Sequence, residues 1–221
     1  MVHALYHARS SARQFGGSES DYLPLHQFLD QTKAYVPGSL HRLVLHNTFG
    51  IQLCEEVYGV EWQRPSDGKL IATRLLVQQH INEDFGFVPT LSECFQDHPF
   101  YHEQQVHPYT PAEVQVALAH TLKGVPEDYR ELVNWFYKPV ELLENPQFFC
   151  LLGNSFGTFL AEARFGIALQ RASDGKELPT QTVAEWLVRL SLGFLPTLTY
   201  FFRGMPLLSW MSRCISLDIE E

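Results

Sequence analysis

His26 and Asp30 stand four residues apart, and His80 and Asp84 repeat that spacing with Glu83 just before Asp84. Side chains four apart on a helix share a face, so each pair offers an imidazole and a carboxylate on one side. His41 and His46 are five apart, roughly 140° around a continuous helix, which does not centre both on one face. Imidazole and carboxylate drawn from three helices make the usual ligand set for Zn, Mn or Fe. Helical bundles carry such sites in their interior. An ion with one position open lowers the pKa of a bound water and makes it a nucleophile. The ligands expected on this reading are His26, Asp30, His41, His80 and Asp84, with His26 and Asp30 either binding the ion or orienting residues that do. His46 is expected as a ligand or general base, and Glu56 as a second catalytic candidate. Arg42 either binds an anionic group or is a solvated arginine.

The chain supplies its own control for this reading. Residues 3–99 reappear without a gap at residues 110–206, each matching pair lying 107 positions apart. Asn47-Thr48-Phe49-Gly50 returns as Asn154-Ser155-Phe156-Gly157, and Ser66-Asp67-Gly68-Lys69 returns as Ser173-Asp174-Gly175-Lys176. Such internal repetition decides the architecture before any single element is assigned. What fails to return is the chemistry. His7, His26, His41, His46, His80 and His98 face Val114, Val133, Phe148, Gly153, Leu187 and Met205. Asp30 faces Tyr137, Glu83 faces Leu190, Asp84 faces Ser191 and Glu56 faces Ala163, whereas Glu55 is kept as Glu162. Surface histidines have no reason to become apolar at successive positions, so these positions are expected to point inward. Buried polar groups are costly unless paired or bound to a metal. The pattern therefore reads as one chemically equipped copy joined to one kept for structure.

The elements that must position these residues follow from periodicity and punctuation. Within the first copy, helices are expected over residues 3–15, Tyr22–Tyr35, Leu40–Tyr58 and Thr73–Asp84, with a short one from Pro89-Thr90 to Phe95. Pro37-Gly38-Ser39 is a turn, and Gly59 is a natural helix stop. Asp67-Gly68 between β-prone runs signals a hairpin. The second copy repeats the plan, with helices over 129–143, 148–165 and 180–191, a hairpin at Ser173-Asp174-Gly175 and a closing helix from Pro196. The expected fold is mainly α: two pseudo-equivalent helical repeats, each with a short β-hairpin, packed as a fused pseudo-dimer. The expected boundaries are 1–99 for the first repeat, 100–109 for a linker, 110–206 for the degenerate repeat and 207–221 for a tail.

Hydrophobic content of 45% and charged content of 19% suit a globular chain. A net charge of −9 argues against a phosphate-backbone partner. Cys54, Cys94, Cys150 and Cys214 form no C-x-x-C pair, which reads as a reduced, cytoplasmic chain. None belongs to a nucleophile constellation. The apolar stretch Leu187–Met211 contains Arg189 and Arg203, and its longest uncharged run, the 13 residues between them, falls short of the ~20 needed to span a bilayer. Core or inter-repeat interface is the expected role for it, with a peripheral membrane or docking face as the alternative. His3, His102 and His107 are expected at the surface.

The ordered positions His7, Phe15-Gly16-Gly17, Asp21-Tyr22-Leu23-Pro24-Leu25-His26, Asp30, Lys33, His41-Arg42, His46, Gly50-Ile51, Glu55, Tyr58-Gly59, Ser66-Asp67-Gly68-Lys69, Gln79-His80, Glu83-Asp84, Gly86 and Val88-Pro89-Thr90 carry a resemblance. Over residues 7–95 the chain resembles a small His-rich helical family of bacterial and phage proteins, a domain of unknown function, here duplicated with a degenerate second copy. The resemblance implies that the His/Asp set is a family pattern of the first repeat. It supplies no reaction.

The leading expectation is a metal-binding helical protein with one polar site in the first repeat, acting as a metal-dependent hydrolase on a small molecule. The alternative is a non-enzymatic phage or host regulator in which the histidines form a buried network and the apolar stretch docks a protein. Self-association is compatible with either.

Overall fold

The computed structural model describes residues 3–36, 38–95, 109–203 and 205. His98, His102, His107, Cys214, most of the expected linker, the expected tail and the end of Leu187–Met211 lie outside the described residues. The described residues divide into two compact units, one holding 3–36, 38–95 and 205 and the other 109–203.

The first unit contains α1 (Ala4–Phe15), α2 (Leu23–Leu29), α3 (Arg42–Leu45), α4 (Thr48–Tyr58), strands β1 (Glu61–Gln63) and β2 (Leu70–Ala72), α5 (Thr73–Phe85) and α6 (Leu91–Phe95). The second contains α7 (Pro111–Leu122), α8 (Arg130–Leu143), α9 (Ser155–Phe165), β3 (Ala168–Gln170), β4 (Glu177–Pro179), α10 (Thr180–Leu192) and α11 (Leu198–Phe202). Each pair of strands is an antiparallel hairpin in the same register, Trp62 opposite Ile71 and Leu169 opposite Leu178. The mainly helical class with one hairpin per repeat is thus as the sequence indicates.

Two expected helices are broken. Tyr22–Tyr35 becomes α2 followed by a 3-10 turn over Gln31–Ala34. Leu40–Tyr58 becomes a 3-10 turn over Gly38–His41, the single turn α3, and α4 after a stop at His46-Asn47. The cause is Asn47. Its Oδ1 accepts the Phe49 and Gly50 amides at 2.9 and 3.1 Å, capping α4, while its Nδ2 donates to Leu43 O at 2.7 Å. One buried side chain thereby ends one helix and starts the next. Gly50 is required at the same joint, because a Cβ there would sit 2.0 Å from Leu45 O. Asn154 and Gly157 reproduce the joint in the second unit, which explains why this motif survives in both copies.

The retained Ser-Asp-Gly-Lys turn is scaffold too. Asp21 Oδ1 accepts the Ser66 amide at 2.9 Å, Arg64 pairs with Asp67, and Arg64 Nη1 donates to Phe15 O at 2.8 Å. Asp128, Ser173, Arg171, Asp174 and Leu122 O make the same contacts in the second unit. The hairpin is tied to the end of the first helix in each copy.

Within the first unit α5 packs against α1, α2 and α4. Its buried stripe is Thr73, Leu76, Val77, His80, Ile81, Asp84 and Phe85, a helical 3–4 spacing. Gly86 closes α5 in the left-handed region, at φ 80°, where only a residue without a Cβ is unstrained. His80 and Asp84 thus occupy positions that packing alone would fill with apolar residues.

A buried histidine and carboxylate centre

Side chains from four places converge in the first unit: His7 and Ser11 on α1, His26 and Asp30 at the end of α2, His41 to His46 across α3, and His80 to Asp84 on α5. His7, Ser11, His26, His41, His46 and His80 are all 0% exposed, Arg42 is 2%, Asp84 3% and Asp30 9%.

A chain of hydrogen bonds assigns the protons. Gln79 Nε2 donates to Glu83 Oε1 at 2.8 Å, since a carboxylate only accepts, so its Oε1 faces Ser11. The Ser11 hydroxyl gives its proton to Gln79 Oε1 at 2.9 Å and must accept from His26 Nε2 at 2.9 Å. Neutral His26 then has a bare Nδ1, which accepts from His80 Nδ1 at 3.0 Å. Neutral His80 is left with a bare Nε2. His7 Nδ1 donates to the other Glu83 oxygen at 2.6 Å, and His41 Nδ1 donates to the Gly38 carbonyl at 2.5 Å. His7 Nε2 and His41 Nε2 are buried with no hydrogen-bond partner, as is His46 Nδ1. Held from behind in this way, an imidazole presents a lone pair of fixed direction, the usual arrangement behind a metal ligand.

The ring nitrogens gather around two carboxylates, and because His80 Nε2 is bare, His46 Nε2 carries the proton of the 3.1 Å hydrogen bond between them. His80 Nε2 lies 3.7 Å from Asp30 Oδ1 and 3.9 Å from Asp84 Oδ2. His46 Nε2 lies 3.3 Å from Asp84 Oδ2, 3.8 Å from Asp30 Oδ1 and 3.1 Å from His80 Nε2. His7 Nε2 is 3.7 Å from Asp84 Oδ1. Donors bound to one ion at about 2.0–2.2 Å stand roughly 3–4 Å apart, the spacing found here. Two groups are positioned to hold a metal ion: His7, His80 and Asp84, and Asp30, His41 and His46, the candidate ligand atoms within each lying within 4.8 Å of one another. Arg42 Nε sits 3.0 Å from Asp84 Oδ2, with its guanidinium 5.2 Å from the Phe85 ring centre, and Lys33 Nζ sits 2.6 Å from Asp30 Oδ1.

The electrostatics favour neutral imidazoles. Burial, reinforced by repulsion from neighbouring histidines, pushes His26 and His41 down to about 3 from an ordinary 6.5. Burial is also the largest cause holding His46 and His80 below their ordinary value. Burial alone would raise the Asp84 carboxyl, but the His46 hydrogen bond and the charges around it outweigh this and hold it below the usual carboxylate range. Neutral imidazole beside an ionised carboxylate is the protonation state a metal requires.

The structure thus brings Asp30, His41, His46, His80 and Asp84 together. His26 stands outside both groups with its two nitrogens engaged by Ser11 and His80. Glu56 is half-buried on α4, also outside both groups. The five-residue spacing of His41 and His46 does not separate them, because the chain turns at α3 instead of running as one helix; their ring centres are 5.7 Å apart. His3 is exposed and caps α1, its Nδ1 accepting the Leu5 amide at 3.2 Å. Burial raises the thiols of Cys54, Cys94 and Cys150, the Cys94 thiol to about 12.

Residues that sequence reasoning left aside also belong here. His7 joins a ligand group, Arg42 is buried, and Ser11 and Gln79 set the tautomers. The signal for them was the repeat comparison, since Ser11, Gln79, Arg42 and Lys33 face Leu118, Trp186, Phe149 and Val140.

The second unit shows the same space filled without chemistry. Tyr137, Phe149, Leu187 and Ser191, the counterparts of Asp30, Arg42, His80 and Asp84, are all buried. Tyr137 packs on Phe149 with ring centres 4.8 Å apart, and its hydroxyl lies 3.5 Å from Ser191 Oγ. A Cβ on Gly153 would stand 2.3 Å from the Phe149 ring, so the large side chain at the arginine position explains why one histidine gave way to glycine. The remaining polar atoms are satisfied: Tyr137 OH donates to Tyr109 O, and Ser191 Oγ donates to Leu187 O at 2.9 Å. The described part of Leu187–Met211 is partly core, with Leu187, Val188, Leu198 and Phe202 at 1% exposure or less, whereas Phe194 and Tyr200 are exposed. No helix among the described residues is long and apolar enough to cross a membrane.

No curated protein and no solved structure matches the chain. A family model matches it twice in tandem, over residues 2–102 and 106–211. The chain, a helical duplication whose His/Asp cluster lies, among the described residues, in the first copy, belongs to the family described as Domain of unknown function (DUF6915).

Proposed function

We propose that the first repeat binds a divalent transition metal, Zn, Mn or Fe, and uses it for hydrolysis of a small-molecule substrate. The observation that carries this reading is the set of bare, buried imidazole nitrogens of His7, His41 and His80 directed among Asp30 and Asp84. A network closed within the protein, as a purely structural role would require, satisfies its buried atoms; at the matching positions of the second repeat Tyr137 and Ser191 do so, whereas the first leaves His7 Nε2, His41 Nε2 and His46 Nδ1 without hydrogen-bond partners. The residues assigned to the ion are His7, Asp30, His41, His46, His80 and Asp84. His26 is assigned to positioning His80, and Glu56 to neither task.

When bound, such an ion supplies a Lewis acid and lowers the pKa of a coordinated water toward about 7. The protein's own contribution is to hold the imidazoles neutral and fixed, to keep the donors dry, and to place the Arg42 and Lys33 charges beside the carboxylates. Hydrolysis adds water across the scissile bond, its oxygen going to the acyl or phosphoryl centre and a proton to the leaving group.

The test is to strip the purified chain with chelator, restore Zn, Mn or Fe separately, and assay nitrophenyl phosphate, bis-nitrophenyl phosphate and nitroanilide substrates. Metal-dependent turnover that disappears in His80→Ala is expected. A chain that retains metal but turns over none of these substrates, with any of the three metals, would overturn the hydrolase assignment.

A further inference from the structure

Resting on the metal reading above, we infer that the centre holds two ions and not one, side by side, and that its substrate is an anionic phosphoryl ester.

The candidate ligands fall into two triads with no shared member, His7, His80 and Asp84 in one and Asp30, His41 and His46 in the other. Each has two imidazoles and one carboxylate, a set that holds one divalent ion and leaves positions open for water and substrate. Each triad has its own unpartnered nitrogens, His7 Nε2 in the first and His41 Nε2 and His46 Nδ1 in the second. One ion placed among His46, His80, Asp30 and Asp84 would leave His7 Nε2 and His41 Nε2, one from each triad, buried and unused.

The triads touch. His46 of the second lies 3.1 Å from His80 and 3.3 Å from Asp84 Oδ2 of the first, and Asp30 lies 3.7 Å from His80 Nε2. Asp84 presents Oδ1 to His7 at 3.7 Å and Oδ2 to His46 at 3.3 Å, with His80 Nε2 at 3.9 Å and Arg42 Nε at 3.0 Å also on Oδ2. A carboxylate placed in that way bridges neighbouring ions, and adjacent ions about 3.5–4 Å apart are the standard clamp for in-line phosphoryl displacement.

Charge selects the substrate class. Two divalent cations together with Arg42 and Lys33 outweigh Asp30, Asp84 and Glu83, so the loaded centre attracts an anion. A neutral amide does not meet that excess, whereas a phosphoryl group spans two cations with separate oxygens. Lys33 and Glu83 are partly exposed, at 26% and 17% of their side chains, beside imidazoles that are fully buried.

The experiment is titration of the chelator-stripped full chain with Mn2+ by calorimetry, with electron paramagnetic resonance of the loaded protein and inorganic phosphate as the ligand probe. About two equivalents per chain and a spin-coupled signal are expected. His7→Ala and His41→Ala, checked for native circular dichroism, are each expected to bind one equivalent with an uncoupled signal. Phosphate is expected to perturb the coupled signal. One equivalent with an uncoupled signal in the wild type overturns the two-ion inference and leaves the metal reading standing. No binding of Mn2+, nor of Zn2+ or Fe2+ titrated in the same way, removes the metal reading itself. A coupled signal that saturating phosphate leaves unchanged overturns the substrate class.

Discussion

Asp84→Asn is expected to eliminate tight binding of a divalent transition metal and to destabilise the first unit by about 3–5 kcal/mol in the absence of metal. The carboxylate lies within 4 Å of His7, Arg42, His46 and His80, closest to Arg42 at 3.0 Å. An amide of the same shape keeps the packing but removes the negative charge facing a guanidinium that is 2% exposed. Removing one partner of a buried ion pair leaves the other charge uncompensated, and that cost is a large part of the roughly 5–15 kcal/mol that holds a domain folded. Metal affinity falls further than the ~10–100-fold typical of losing an outer hydrogen-bond partner, because a ligand oxygen itself is changed. Urea denaturation and metal titration of the variant check the two parts separately. A companion in which His7, Ser11, His26, Asp30, His41, Arg42, His46, His80 and Asp84 all take their second-repeat counterparts is expected to fold without metal. The second repeat already demonstrates that solution. Unchanged metal affinity in Asp84→Asn would contradict the assignment.

Acid is expected to open the first unit selectively. His26 and His41 sit near 3 in the folded protein against an ordinary 6.5. Below pH 6.5 the unfolded chain takes up protons that the folded one refuses, so stability is full above that pH and falls as the pH drops toward 3. At pH 5 each of the two costs about 2 kcal/mol, and His46 and His80 are displaced in the same direction. A bound ion changes the magnitude and not the sign, because protons compete with it for the same nitrogens. The second unit has apolar residues at the matching positions, and its His120 is exposed. Urea unfolding at pH 7 and pH 5, with protease cleavage mapping which repeat opens first, measures this. Equal midpoints at the two pH values would contradict it.

The centre was legible because the chain contains both versions of one fold. Histidines aligned with Val114, Val133, Phe148 and Leu187 had to be inward-facing, and they are. Periodicity hid the local geometry. Leu40–Tyr58 keeps apolar residues at helical spacing throughout, yet Asn47 finds more hydrogen bonds as a cap than as a helical residue, and the resulting turn carries His41 and His46 into one group. Read as a continuous helix, the same residues part by about 140°. Arg42 was ambiguous on its own, since arginine is seldom buried, but Phe149 at the matching position marks it as interior. Glu56 differs between the copies like the site residues do, yet it is only half-buried on α4, so a difference between copies does not by itself assign a residue to the chemistry. Ser11 and Gln79 escape any motif, because their part is to fix which nitrogen of a neighbour carries the proton.

The most direct measurement is anomalous diffraction at the metal edge from crystals of the full chain grown with Zn or Mn. The account predicts anomalous density within bonding distance of His80 Nε2 and an Asp84 oxygen in the first repeat, and none among Tyr137, Leu187 and Ser191 in the second. A saturated crystal with no peak between His80 and Asp84, or with its metal only on surface side chains, would contradict it.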